Sequence, residues 1–151
     1  LEDLSGTDLN ELGQVCYAEA SGGQSGVSAE GLDEERRAMV SVVLNRLGAG
    51  GVRGGRQDTV GGVIRARNQF ESVTGVRGGP GAKFRDSAPG VAGDLPAPEQ
   101  ADLAACLRIA GELVASPEGA PYEYTSNRAG TRGRGAVHGG SRFWTDVGIE
   151  R

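Results

Sequence analysis

One histidine and two cysteines in 151 residues leave little material for several kinds of chemistry. A catalytic zinc ion takes three protein ligands in a defined set, and His138 with two scattered cysteines does not provide one. No metal or other cofactor is therefore expected, and a site made of carboxylates alone stays open without a motif to point to it. Cys16 and Cys106 are too few for a disulfide scaffold and lack zinc-site spacing. Both fall on apolar helical faces, where buried free thiols are the expectation and a single helix-to-helix disulfide the alternative in an oxidising compartment. A serine triad would have His138 alone as its base, and no nucleophile-elbow motif accompanies it. No apolar run approaches the roughly 20 residues that cross a bilayer, and no charged-then-apolar leader opens the chain. The sequence begins at Leu1 without a Met, so a piece excised from a longer chain is expected. There is no internal repeat.

What the sequence has in quantity is glycine, 27 residues of it, clustered between stretches of good apolar periodicity. That pattern predicts a compact core with long glycine-rich loops, and the length suits one domain over 1–151. The net charge is −4, unevenly placed. Residues 1–35 carry nine acidic groups and no Lys or Arg, whereas residues 51–91 carry seven basic groups against three acidic. Basic loops suit an anionic polymer, either nucleic acid or cell-wall glycan, and they are equally consistent with ordinary solvated arginines. No nucleic-acid motif accompanies them, so no nucleic-acid partner is expected.

Apolar spacing predicts a first helix from about Thr7, as N-cap, to Ala20, ended by Ser21-Gly22-Gly23. Leu9, Leu12, Val15 and Cys16 form its stripe, and Tyr17 points away from it. A second helix spans about Asp33 to Leu47, with Met39, Val40, Val42, Val43 and Leu44 marking it as central and largely buried. A glycine-rich loop from Gly48 to Gly55 leads to a short helix over about Thr59–Arg67. The stretch from Thr74 to Pro98, with four prolines, reads as a long loop. A further helix covers about Pro98–Ala115, and Tyr122–Trp144 reads as irregular or short strand. The fold class expected is mainly α, or α+β, with at most a small sheet.

Glu19 stands out in this pattern. At about 100° per residue it lies within the apolar arc of the first helix, one turn past Cys16. A carboxyl group so placed is partly desolvated, which raises its pKa towards the range a general acid needs. Periodicity alone leaves a second reading open, a carboxylate paired with an arginine at a helix end.

The words Val15-Cys16-Tyr17-Ala18-Glu19-Ala20-Ser21-Gly22, Ala38-Met39-Val40-Ser41-Val42-Val43-Leu44-Asn45-Arg46, and Thr59-Val60-Gly61-Gly62-Val63-Ile64 leading to Gln69-Phe70 resemble, in order and spacing, the SleB-type cell-wall hydrolases, the spore cortex-lytic family. The resemblance covers roughly residues 9–73. A weaker echo, His138-Gly139-Gly140-Ser141-Arg142-Phe143-Trp144, is similar to the family's closing Gly-His-aromatic segment, with the His here ahead of the glycines.

The resemblance implies a lysozyme-like fold with one essential Glu, matched by Glu19. It also implies cleavage between N-acetylmuramic acid and N-acetylglucosamine, commonly by lytic transglycosylation, for which one carboxylate is enough. A hydrolytic muramidase needs a second carboxylate; Glu71 is the candidate, and a surface acid near Arg65 or Arg67 is its plainer reading. Gln69, Tyr124, Ser126 and Asn127 are the candidate substrate-binding residues, with Tyr122, Phe143 and Trp144 as further aromatic faces or packing residues. Asn45 is expected to satisfy backbone groups locally or to sit behind the site. The expected partner is peptidoglycan, reached by secretion or by delivery into the periplasm, with a cognate inhibitor protein if the domain is an antibacterial effector. The rival readings are a Cys16/His138 peptidoglycan amidase and a non-catalytic glycan-binding module.

Overall fold

A computed structural model describes residues 4–47, 59–66, 70–75 and 81–146. Its helices are α1 (Gly6–Glu19), α2 (Ala29–Arg46), α3 (Val60–Ile64), α4 (Glu71–Thr74), α5 (Ala82–Asp86) and α6 (Ala97–Ala115), followed by strands β1 (Ser126–Ala129), β2 (Ala136–His138) and β3 (Ser141–Trp144). The expected class holds: a mainly helical α+β fold with one small antiparallel sheet. Among the described residues no helix is long and apolar enough to cross a membrane.

The start of α1 is set by a reciprocal cap at Ser5, where the hydroxyl accepts from the Asp8 N–H at 3.1 Å and the Asp8 carboxylate accepts from the Ser5 N–H at 3.2 Å. Two of the N–H groups that a helix start leaves unpaired are satisfied at once. Ser5, not Thr7, is therefore the N-cap. Helix α2 likewise starts a turn before Asp33, because the Ser28 hydroxyl caps it by accepting from Gly31 N–H at 3.0 Å. The glycine-rich loop 48–55 and Arg67 fall outside the described residues. The 74–98 stretch is less irregular than expected, since α5 and a 3-10 turn at Ala92–Asp94 occupy part of it.

Helices α1, α2 and α6 carry the centre of the core, in which Leu12, Val15, Met39, Val40, Val43 and Ile109 are completely or almost completely buried. Each such aliphatic side chain contributes about 1.5–3 kcal/mol relative to exposure. Helix α1 is enclosed over six consecutive residues, Leu12 to Tyr17. The sequence expectation for Tyr17 is thus corrected: a helix packed by neighbours on several sides buries residues outside its main stripe. Gly13 marks the closest approach of α1 to α6, for a Cβ there would lie 2.3 Å from Leu107 Cδ2. Cys16 and Cys106 are both buried free thiols, Sγ to Sγ 2.9 Å across the same interface.

The sheet runs in the order β1-β3-β2 with both pairings antiparallel, Ser126 opposite Trp144 and His138 opposite Ser141. Alternation along β3 sends Ser141 and Phe143 inwards and leaves Arg142 and Trp144 on the other, half-buried face. Phe143 is fully buried, which joins the sheet to the helical core.

Candidate functional site

Glu19 is the last residue of α1, and the chain leaves the helix at Ala20 in an extended conformation. That break releases the carboxyl from the packed interior into a cleft of about 610 Å³. Its Oε1 accepts a hydrogen bond from Ser72 Oγ at 2.8 Å, Ser72 being held in the short helix α4. Among the described residues no arginine pairs with Glu19. Burial pushes the Glu19 pKa up, hydrogen bonds from Ser72 oppose the rise, and the neighbouring Glu71 charge adds to it. The net shift is upward, so the neutral acid persists to higher pH than in a free glutamate.

Glu71, exposed at the start of α4, lines the same cleft. Arg65, one of its two expected arginine neighbours, pairs instead with Glu11 at 2.5 Å. On the floor, the Arg46 guanidinium donates from Nε to the Thr125 carbonyl at 2.5 Å and from a terminal nitrogen to Ser126 Oγ at 3.2 Å. Burial lowers its pKa from the ordinary arginine value, and it lies 6.0 Å over the ring of Phe70. Phe70 itself is core.

The far wall is the sheet. Ser126 and Asn127 of β1 line the cleft together with Trp144 of β3, so two of the four expected substrate-binding residues share one cavity with Glu19. Tyr124 is directed elsewhere: its hydroxyl is 2.9 Å from His138 Nε2, and its ring stacks on Tyr122 at 5.3 Å. Gln69 lies outside the described residues.

Sequence reasoning missed three residues here, Ser72, Asp146 and Arg46. Ser72 holds the acid; its only signal was its place beside Glu71. Asp146 accepts from Trp144 Nε1 at 2.9 Å, from Ser126 Oγ, and from its own side of the cleft pairs with Arg134 at 3.4 Å. It therefore orients the indole and the serine hydroxyl. Asn45 and Arg46 act together: Asn45 Nδ2 donates to the carbonyls of Tyr122 and Tyr124 at 2.7 and 2.8 Å, tying the end of α2 to the segment that enters β1.

The cysteine arrangement does not suit a nucleophile. Cys16 lies in the last turn of α1, far from a helix N-terminus, and is fully buried, with its pKa raised first by that burial, the opposite of the activation a thiolate needs. His138 is engaged by Tyr124 and by Glu34, 3.1 Å from Nδ1. Among the described residues no group of three His, Cys, Asp or Glu side chains is placed to hold a metal ion. The chain matches no protein-family model, no curated protein and no solved structure.

The cleft thus presents the desolvated Glu19 carboxyl with the exposed Glu71, and also an indole, a hydroxyl and an amide with the Asp146 carboxylate and the guanidinium groups of Arg46, Arg128 and Arg134. Such a constellation can protonate a leaving oxygen and hold a polar ring against an aromatic face.

Proposed function

We propose that this protein cleaves the glycan strands of peptidoglycan between N-acetylmuramic acid and N-acetylglucosamine, as a lysozyme-like domain with Glu19 as its general acid and base. The observation that carries the reading is the Glu19 carboxyl, half-buried, raised in pKa and set in a cleft walled by Ser126, Asn127 and Trp144. The resemblance of residues 9–73 to the SleB-type hydrolases supports the same position for the acid.

In the transglycosylase course, Glu19 gives its proton to the glycosidic oxygen as the bond to the muramic C1 breaks, leaving an oxocarbenium-like sugar. The sugar's own 6-hydroxyl then bonds to C1, and its proton returns to the Glu19 carboxylate. The product is a 1,6-anhydro sugar, no water is consumed, and one carboxylate serves both steps. Glu71 favours a second course, because its place in the same cleft supplies the carboxylate that a hydrolytic muramidase requires.

Mass spectrometry of the soluble fragments from purified peptidoglycan separates the two courses. Anhydro ends, lighter than reducing ends by one water, about 18 Da, identify the transglycosylase; reducing muramic ends identify the muramidase, and loss of that product in Glu71→Gln then assigns Glu71. Free stem peptides with intact glycan overturn the proposal. The setting proposed is the bacterial cell wall, reached by secretion or by delivery into the periplasm as an antibacterial effector with a cognate inhibitor. Harmless expression in the periplasm of a susceptible bacterium contradicts that setting.

A further inference from the structure

Glu35 is fully buried, and the ion pairs among the described residues do not include it. Its carboxylate is satisfied by hydrogen-bond donors instead. Oε2 accepts from the Ser21 N–H at 2.8 Å, from Ser21 Oγ at 3.1 Å and from Ser141 Oγ at 2.8 Å, while Oε1 accepts from the Gly140 N–H at 2.8 Å. A buried carboxylate is costly unless such donors surround it. The donors come from two places far apart in the chain. Ser21 lies two residues beyond Glu19, while Gly140 ends the turn before β3 and Ser141 opens β3, the strand that ends in Trp144.

The His138-Gly139-Gly140-Ser141 segment is shaped to this carboxylate. Gly139 has φ +58°, and a Cβ there would lie 2.4 Å from Glu35 Oε1; a Cβ on Gly140 would lie 2.4 Å from Ser21 Oγ. The preceding residue on α2, Glu34, holds His138. Two consecutive carboxylates of α2 therefore grip the turn, one on its surface and one beneath it.

We infer that Glu35 is a positioning residue for the cleft: it clasps the chain leaving Glu19 to the β2–β3 turn, and so sets the acid against the wall that carries Trp144. Its consequence for catalysis rests on the function proposed above. Glutamine cannot replace it. Each carboxylate oxygen accepts a backbone N–H, so either orientation of an amide points its NH2 at a backbone donor.

The test is Glu35→Gln, followed by amide hydrogen exchange and by kinetics on peptidoglycan, with Ile109→Val as a control for loss of core packing. The Ser21 and Gly140 amides are expected to exchange about tenfold faster or more in Glu35→Gln, while α6 amides are unchanged. With the wall released, kcat falls about tenfold against a smaller change in KM, and the high-pH limb of the rate profile moves to lower pH as water reaches Glu19. Ile109→Val moves neither. Should Glu35→Gln fail to fold, Ser141→Ala keeps the carboxylate, removes one donor and is expected to give the same changes, smaller in size. Unchanged exchange at Ser21 and Gly140 overturns the clasp. Faster exchange with kcat and pH limb matching the control overturns the positioning role. If the wild-type protein releases no glycan fragments, the proposed function fails, and the exchange measurement still decides the clasp.

Discussion

The two walls of the cleft are built by different physics. The Glu19 wall is the end of a helix enclosed from Leu12 to Tyr17, and its position follows from the α1–α2–α6 core. The opposite wall is a three-stranded sheet whose first two strands are largely exposed. Phe143 anchors it to the core, and much of the rest of its attachment is polar: Asn45 to the Tyr122 and Tyr124 carbonyls, Arg46 to Thr125 and Ser126, Glu34 to His138, and Glu35 to Gly140 and Ser141. Hydrophobic burial is non-directional and fixes a helix broadly. Hydrogen bonds are directional, and a handful of them can place a small sheet accurately where little core is available.

This contrast predicts that damage to the two regions separates stability from activity. Ile109→Ala opens a cavity in the core and is expected to cost about 2–5 kcal/mol, read as a lower urea midpoint, with the activity of the folded fraction unchanged. Asn45→Ala leaves two carbonyls without their partner and is expected to cost about 1–3 kcal/mol. Unlike the core variant, it loosens the sheet wall and lowers kcat on peptidoglycan in the folded protein. Equal loss of activity per folded molecule in both variants would erase the contrast.

The smallest effect is the sharpest. Ser72→Ala removes the hydroxyl hydrogen bond that favours the ionised carboxylate and keeps the backbone one, so the Glu19 pKa rises further and the high-pH limb of the rate profile moves up. The stability change is about 0.5–1.5 kcal/mol. A limb that moves down would mean that Glu19 does not control it.

The same contrast explains what could be read in the sequence. Helices α1, α2 and α6 follow from apolar spacing, and Glu19 stood out because a carboxyl interrupted a regular arc. The caps Ser5 and Ser28 were missed because each lies a short way outside its apolar stripe, where periodicity carries no signal. Glu35 was missed for a stronger reason. It lies in a charged run, Asp33-Glu34-Glu35-Arg36-Arg37, that reads as a solvated face. Its burial depends on a turn more than 100 residues away, which spacing along one helix cannot reveal. Tyr124 shows the converse: its residue type suits a sugar cleft, but its hydroxyl is already bound to His138.

The most direct measurement compares wild type with Glu19→Gln for both glycan release and thermal stability across pH. The folded pKa of Glu19 is raised, so between the unfolded value of about 4.3 and the folded value the native state holds more protons than the unfolded chain, and stability falls as pH rises. Gln removes that desolvated charge. Glu19→Gln is expected to lose glycan release by about 100-fold or more, to melt above wild type at pH 7, and to lose that advantage below about pH 4. Full glycan release by Glu19→Gln would contradict the claim that Glu19 is the catalytic acid.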